Sequence, residues 1–200
     1  MASSRSTPRL RLTALLLTGL LALVAVSERT WASGLAGEAL QLTGLACMAC
    51  AALGRIWASV FIAGFKDTHL VRQGPYSVLR HPLYAFSILA MLGAGLATRS
   101  VAITLALLGV FGAIYVTAAS AEDAYLRTRH GAEFEEFHRA LRAFLPRWSA
   151  YRVPEALEIR PRVLWKAFLD AGSLLGFYAL LRFADGLQQA GTTPTWLSLP

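Results

Sequence analysis

The sequence predicts an all-α integral membrane protein: a bundle of about five transmembrane helices, with a cytoplasmic segment between the fourth and the fifth. Three observations carry this prediction. The chain has 200 residues, of which 56% are hydrophobic and 16% charged, whereas soluble domains carry about 25% charged residues. The apolar residues are bunched into Leu12 to Val26, Ala39 to Gly54, Leu83 to Ala97, Val101 to Ala121 and Val163 to Leu181, the last broken by Lys166 and Asp170. Each run approaches the roughly 20 residues that a bilayer-crossing helix needs. Basic residues concentrate in alternate connections. Residues 1–200 are therefore expected to form one membrane domain.

The first helix is expected over Leu10 to Trp31, with Trp31 at the interface, where aromatic rings are favoured. Arg5, Arg9 and Arg11 precede it and Ala32 and Ser33 follow, so a cleaved signal peptide is the alternative reading of this run. A loop with Gly34 and Gly37 leads to the second helix, about Glu38 to Phe65. Arg55 interrupts its apolar run, and two readings stand. It faces the bundle or a water-filled cavity, because charge at such depth is costly, or it snorkels toward the surface near Lys66. Cys47 and Cys50 form a Cys-x-x-Cys pair with no further Cys or His at ligand spacing. They read as two small core residues on one helix face, and no metal site is expected.

Pro75 and Pro82 interrupt helix between residues 66 and 82, and the third helix is expected to start near Pro82. Thr98-Arg99-Ser100 reads as a tight turn that makes the third and fourth helices an antiparallel hairpin. Gly93, Ala94, Gly95, Ala97, Ala102, Ala106, Gly109, Gly112 and Ala113 permit close helix approach in lipid. At Ala121-Glu122 the pattern turns mixed. Glu122 to Arg142 reads as a helix leaving the bilayer, broken by Gly131 and ended before Pro146, with Leu126, Phe134, Phe137, Leu141 and Phe144 as an apolar stripe. Residues 147–200 are expected to form a linker with Pro154 and Pro161 and an additional helix, about Val163 to Phe183.

Charge placement gives an orientation. Arg5, Arg9 and Arg11, then Lys66, Arg72 and Arg80, then eight arginines between Glu122 and Arg162 fall on one side, against Arg29, Arg99 and Arg182 on the other. Lys and Arg concentrate on the cytoplasmic side, which places the N-terminus inside and the C-terminus outside. Loops beside anionic headgroups account for the net charge of +7, so no nucleic-acid partner is expected.

The stretch from Gly74 to Tyr84 packs two tyrosines, an arginine, a histidine and two prolines into eleven residues at a membrane boundary. This topology brings Tyr76, Arg80, His81 and Tyr84 near Glu122 and Asp123. Carboxylates and aromatic faces suit an ammonium or sulfonium group. The dinucleotide type of glycine-rich phosphate loop is missing from the sequence.

His69-Leu70-Val71, Gly74-x-Tyr76, Arg80-His81-Pro82-x-Tyr84 and the downstream Glu122-x3-Leu126-x4-Gly131-x-Glu133-Phe134 resemble the isoprenylcysteine carboxyl methyltransferase family and the related phospholipid N-methyltransferases. The resemblance covers residues 55–146 as a methyltransferase-like core. It implies an integral membrane enzyme that binds S-adenosylmethionine on the cytoplasmic side and methylates a lipidic or prenylated acceptor arriving from the bilayer. It places His69, Leu70, Val71, Tyr76, His81, Pro82, Tyr84 and Glu122 around the cofactor, with Glu122 on the amino group of its methionine part. The family's carboxylate-binding arginine corresponds to Ala118 here, its second acidic residue to Asp123, and two common tyrosines to Phe134 and Phe137.

The activity so implied is S-adenosylmethionine-dependent methylation, with O-methylation of an isoprenylcysteine-type carboxylate as the leading form. A carboxylate acceptor is already a nucleophile and needs positioning, which Arg80 or Arg55 would supply. An amine acceptor, as in phospholipid N-methylation, needs a base, for which Glu122, Asp123 or His81 would serve. A nicotinamide-dependent membrane reductase and a non-catalytic relative with the same fold are the competing readings.

Overall fold

The structure, a computed structural model, describes residues 18–19, 27–29, 34–62, 69–157, 159–192 and 197–199. The fold is an all-α membrane bundle. Its helices are α1 (Gly34–Ile62), α2 (Pro82–Ala97), α3 (Val101–His130), α4 (Ala132–Ala140) and α5 (Pro161–Gln189). Helices α1, α3 and α5 are long and apolar enough to span a membrane, and α2 is a shorter apolar helix. At 1.5 Å per residue the 16 residues of α2 reach about 24 Å, short of a hydrocarbon core of about 30 Å. Leu53, Leu105, Trp165, Phe168 and Phe183 point outward from the bundle. In a bilayer such side chains meet lipid, so their exposure carries no cost.

Four of the five expected spans fall on α1, α2, α3 and α5. The first, Leu10 to Trp31, lies outside the described residues except at Thr18, Gly19 and Ser27–Arg29. Ser27–Arg29 corrects its expected end: these residues form a strand, β1, paired in parallel with β2 (Leu197–Leu199). The pairing gives their backbone groups partners outside a helix.

The boundaries follow local chemistry. Pro82 opens α2, where its missing N–H costs nothing. Arg99 turns the chain with φ 55°, and the Ser100 hydroxyl caps α3 by accepting from the Ile103 N–H at 3.3 Å. Gly131, with φ 52°, ends α3 and admits the bend into α4. Helix α1 begins four residues earlier than expected, its expected end at Phe65 lies outside the described residues, and α5 runs on to Gln189.

Packing rests on small residues where α1 meets α2. A Cβ on Gly93 would lie 2.7 Å from the Gly44 carbonyl oxygen, and one on Gly44 would lie 2.9 Å from the Ala97 nitrogen. The two backbones are in contact, the arrangement that small residues permit in lipid. Met48, Ala51, Ala90, Met91, Ala94, Ile103, Leu107, Phe111 and Leu181 form the main core around this contact. Cys47 is only partly buried and Cys50 is exposed, which corrects the expectation of two core residues. The i, i+3 spacing places Cys50 beyond the buried stripe of α1.

At the end of the bundle holding the α2–α3 turn, Asp185 is 2% exposed. It accepts from Gln41 Nε2 at 2.9 Å, Arg99 Nη2 at 3.1 Å and Arg182 Nη1 at 2.5 Å. One carboxylate thus ties α1, the α2–α3 turn and α5 together. The sequence reading placed Arg99 and Arg182 on the side opposite the cytoplasm, without Asp185 as their partner.

Candidate functional site

The opposite end of the bundle is built by two backbone segments that hold each other. Gly74, with φ 58°, donates its N–H to the Arg152 carbonyl at 2.8 Å. A Cβ there would meet the Phe61 ring at 2.5 Å, so both conformation and space require glycine. The Arg80 and His81 amides donate to the Arg142 and Ala143 carbonyls at 3.1 and 3.2 Å, and the Arg147 amide donates to Val78 at 2.9 Å. The Ser77 hydroxyl accepts from the Arg152 amide at 2.9 Å and donates to the Gly74 carbonyl at 2.7 Å. The loop before α2 is thereby clamped by the chain that follows α4.

This clamp holds a charged cluster over the end of α3. His81 is 5% exposed. Its Nε2 lies 2.8 Å from Asp123 Oδ1, and its Nδ1 lies 3.8 Å from Glu122 Oε2. A carboxylate only accepts, so Nε2 carries the proton that bonds Asp123. Arg80 Nη1 donates to Asp123 Oδ2 at 2.7 Å and also meets the His138 ring of α4. His138 Nδ1 lies 3.7 Å from the same carboxylate. Asp123 is the hub, drawing a guanidinium and two imidazoles from two other parts of the chain, the loop before α2 and α4.

Aromatic rings extend the cluster into the bundle. His81 stacks on Tyr84 and Tyr84 on Tyr115, each pair with centroids 5.7 Å apart and planes at 27°. Phe144 approaches His81 at 6.4 Å. Tyr76 is 6% exposed and its hydroxyl has no partner among the described residues. Burial first, then the neighbouring Glu122 carboxylate, pushes its phenol above the ordinary range. It is held as a neutral O–H donor. Arg55 Nη1 donates to Ser87 Oγ at 2.6 Å, and Nη2 lies 3.9 Å from Asp170 of α5, while Nε is buried and unpartnered among the described residues. Of the two readings of Arg55, the structure takes the one in which it faces the bundle.

The residues singled out in sequence separate into groups. His81, Tyr84 and Glu122 come together, with Arg80 attached through Asp123 and Pro82 starting the helix beneath them. Tyr76 shares an apolar cluster with Ala58, Phe61 and Val71. Leu70 packs against Phe134, Phe137 and Leu141, and His69 is exposed. Ala118 is buried one turn before Glu122. Phe134 and Phe137 are core residues; Arg127 lies over the first at 5.6 Å and Arg72 over the second at 5.7 Å. His138, Ser87, Tyr115 and the Arg142-Ala143 backbone were missed. Only the clamp had a trace in sequence, the Arg142-x-Phe144-x-Pro146 grouping after α4.

An apolar bundle with a carboxylate–imidazole–guanidinium cluster at one end, lined by stacked aromatic rings beside a buried hydroxyl that has no partner among the described residues, defines an integral membrane protein with a polar site at that end. The chain belongs to the phospholipid methyltransferase family, whose model matches residues 36–133, and that family makes it a membrane methyltransferase in class. It is 34% identical over 164 residues to the cobalt-zinc-cadmium resistance protein CzcN of Cupriavidus metallidurans, covering 82% of this chain and 74% of the relative. It is 31% identical over 173 residues to the nickel-cobalt-cadmium resistance protein NccN of Alcaligenes xylosoxydans xylosoxydans, covering 86% and 79%. No solved structure matches the chain.

Proposed function

We propose that the protein is an S-adenosylmethionine-dependent methyltransferase whose acceptor is a lipidic molecule, with its site at the loop end of the bundle on the cytoplasmic side. The observation that carries this reading is a buried Tyr76 hydroxyl, without a partner among the described residues, within the electrostatic reach of Glu122 in the Glu122–His81–Asp123 cluster. These residues fit the cofactor's methionine part. Glu122, partly exposed beside His81, would hold its ammonium. Tyr76 O–H and Arg55 Nε, both buried donors lacking partners among the described residues, would hold its carboxylate. The aromatic faces of Tyr84 and Tyr115 would shelter a sulfonium. Bound there, the cofactor supplies an activated methyl group for in-line displacement.

The chain's own residues would position and exclude water. Asp123 fixes the His81 ring and holds Arg80, so Arg80 acts as a positioning residue. Arg55 faces the bundle interior and is the better placed of the two arginines for an anionic acceptor. With Ala118 at the family's carboxylate-binding position, O-methylation of an isoprenylcysteine-type carboxylate would rest on Arg55. N-methylation of an amine headgroup would need a base; both oxygens of Asp123 already accept hydrogen bonds and Glu122 is given to the cofactor's ammonium, so His81 Nδ1, the ring nitrogen not bonded to Asp123, would serve. The relatives are named for resistance to cobalt, zinc, cadmium and nickel, and we place this chain in such a setting as a modifier of a membrane acceptor. A cluster in which a guanidinium already bridges Asp123 and His138 suits an organic cation better than a metal ion.

The test is methyl transfer from radiolabelled S-adenosylmethionine by the detergent-purified protein, offered prenylcysteine and phosphatidylethanolamine analogues in separate reactions. Label entering the lipid phase, and lost in His81→Ala, supports the reading and names the acceptor. Failure with both acceptors, together with lipid-dependent oxidation of a reduced nicotinamide, would replace it with the reductase reading.

A further inference from the structure

A second polar feature lies beside the cluster and is not used by it. The chain after α4 folds over a cavity of about 620 Å³ lined by Arg80, His138, Arg139, Arg142 and Arg147, with no carboxylate in its wall among the described residues. Arg80 is neutralised by Asp123. Arg139 lies one turn from Glu135, a carboxylate that Arg127 already holds. Arg142 and Arg147 make no ion pair among the described residues. Arg147 reaches only the Ala140 carbonyl, at 3.4 Å.

Arg142 and Arg147, guanidinium groups without an ion pair among the described residues on a concave wall, focus a positive potential, and their planar forks match phosphate oxygens. Leu145 and Trp148 beside them are 59% and 66% exposed. An exposed tryptophan and leucine next to arginines, at the end of an apolar bundle, is the composition of a membrane–water interface.

We propose that this cavity is a binding site for a phosphate group, carried by an anionic phospholipid headgroup or free in solution. The proposal is independent of the methyltransferase reading. The site borders Arg80, so a phosphate bound there lies next to the guanidinium that holds Asp123.

Calorimetric titration of the full chain in a neutral maltoside detergent tests it, with inorganic phosphate in one arm and short-chain phosphatidylglycerol in the other. The variants are Arg142→Gln/Arg147→Gln, at two exposed side chains, and Arg129→Gln/Arg160→Gln, which removes the same charge elsewhere. Saturable binding of either probe, weakened at least tenfold in the first variant and less than twofold in the second, supports the site. Binding of phosphatidylglycerol alone assigns it to a headgroup, and binding of inorganic phosphate as well assigns it to the phosphate group itself. No saturable binding of either probe overturns the proposal, as does an equal loss in both variants. Should the double variant fail to fold, Arg142→Gln alone carries the same comparison.

Discussion

His81 and Asp123 lie 42 residues apart in the chain and are joined by a 2.8 Å hydrogen bond. The first sits just ahead of α2 and the second near the end of α3, so the bond closes the α2–α3 hairpin at the end opposite its turn. The same carboxylate holds Arg80 and approaches His138, which makes it the joint between the hairpin and α4.

Asp123→Asn is therefore expected to damage both structure and site. Its side chain is 13% exposed, and the change leaves Arg80 without its charge partner. Hydrogen bonds to charged groups are worth about 1.5–3 kcal/mol, and a loss near that range is expected in denaturant titration of the purified protein. Cofactor affinity should fall at least tenfold, because the His81 ring loses its orienting partner.

Tyr76→Phe should behave in the opposite way. The hydroxyl is buried without a partner among the described residues, so removing it costs little or stabilises the fold, while S-adenosylmethionine affinity drops. The raised phenol pKa adds a pH signature. Above about pH 10 the unfolded chain releases this proton and the folded chain keeps it, so stability falls as pH rises. Unfolding measured from pH 8 to 11 should show a shallower alkaline decline in Tyr76→Phe than in wild type.

Much of the fold was legible because its signals are local. Apolar runs, Pro82, the Thr98–Ser100 turn and Gly131 each act within a few residues, and each marks a boundary in the structure. The site was legible only in part. Periodicity placed His81 and Glu122 at the same end, but the choice between Glu122 and Asp123 as the hydrogen-bond partner of His81 depends on helix rotation, which sequence spacing does not encode. His138 and Ser87 were invisible for a related reason: a polar residue on a mixed or apolar helix acquires meaning only when its neighbour on another helix is known. The contact of Leu70 with Phe134 and Phe137 was likewise unreadable, because it depends on how the loop before α2 meets α4.

Asp185→Asn separates stability from function. It removes the buried carboxylate shared by Arg99 and Arg182, whose side chains are 17% and 38% exposed, so solvent screens the freed charges and the cost is that of lost charge-assisted hydrogen bonds, about 1.5–3 kcal/mol. The network sits at the far end of the bundle from His81. The expected outcome is a lowered unfolding midpoint with unchanged cofactor affinity in the fraction that remains folded.

Gly93→Val tests the helix contact. The added side chain would be driven into the Gly44 carbonyl and the Met48 side chain, and overpacking of this kind costs about 1–3 kcal/mol. Gly109→Val, at a site with open space around it, should be nearly neutral in the same unfolding assay.

The most direct measurement of the central claim is equilibrium binding of S-adenosylmethionine to the detergent-purified chain, with His81→Ala and Glu122→Gln alongside and all three checked for cooperative unfolding. Saturable binding by wild type, weakened at least tenfold in both folded variants, is the predicted result. A cooperatively folded wild-type protein that binds no S-adenosylmethionine, or variants that bind as tightly as wild type, would contradict it.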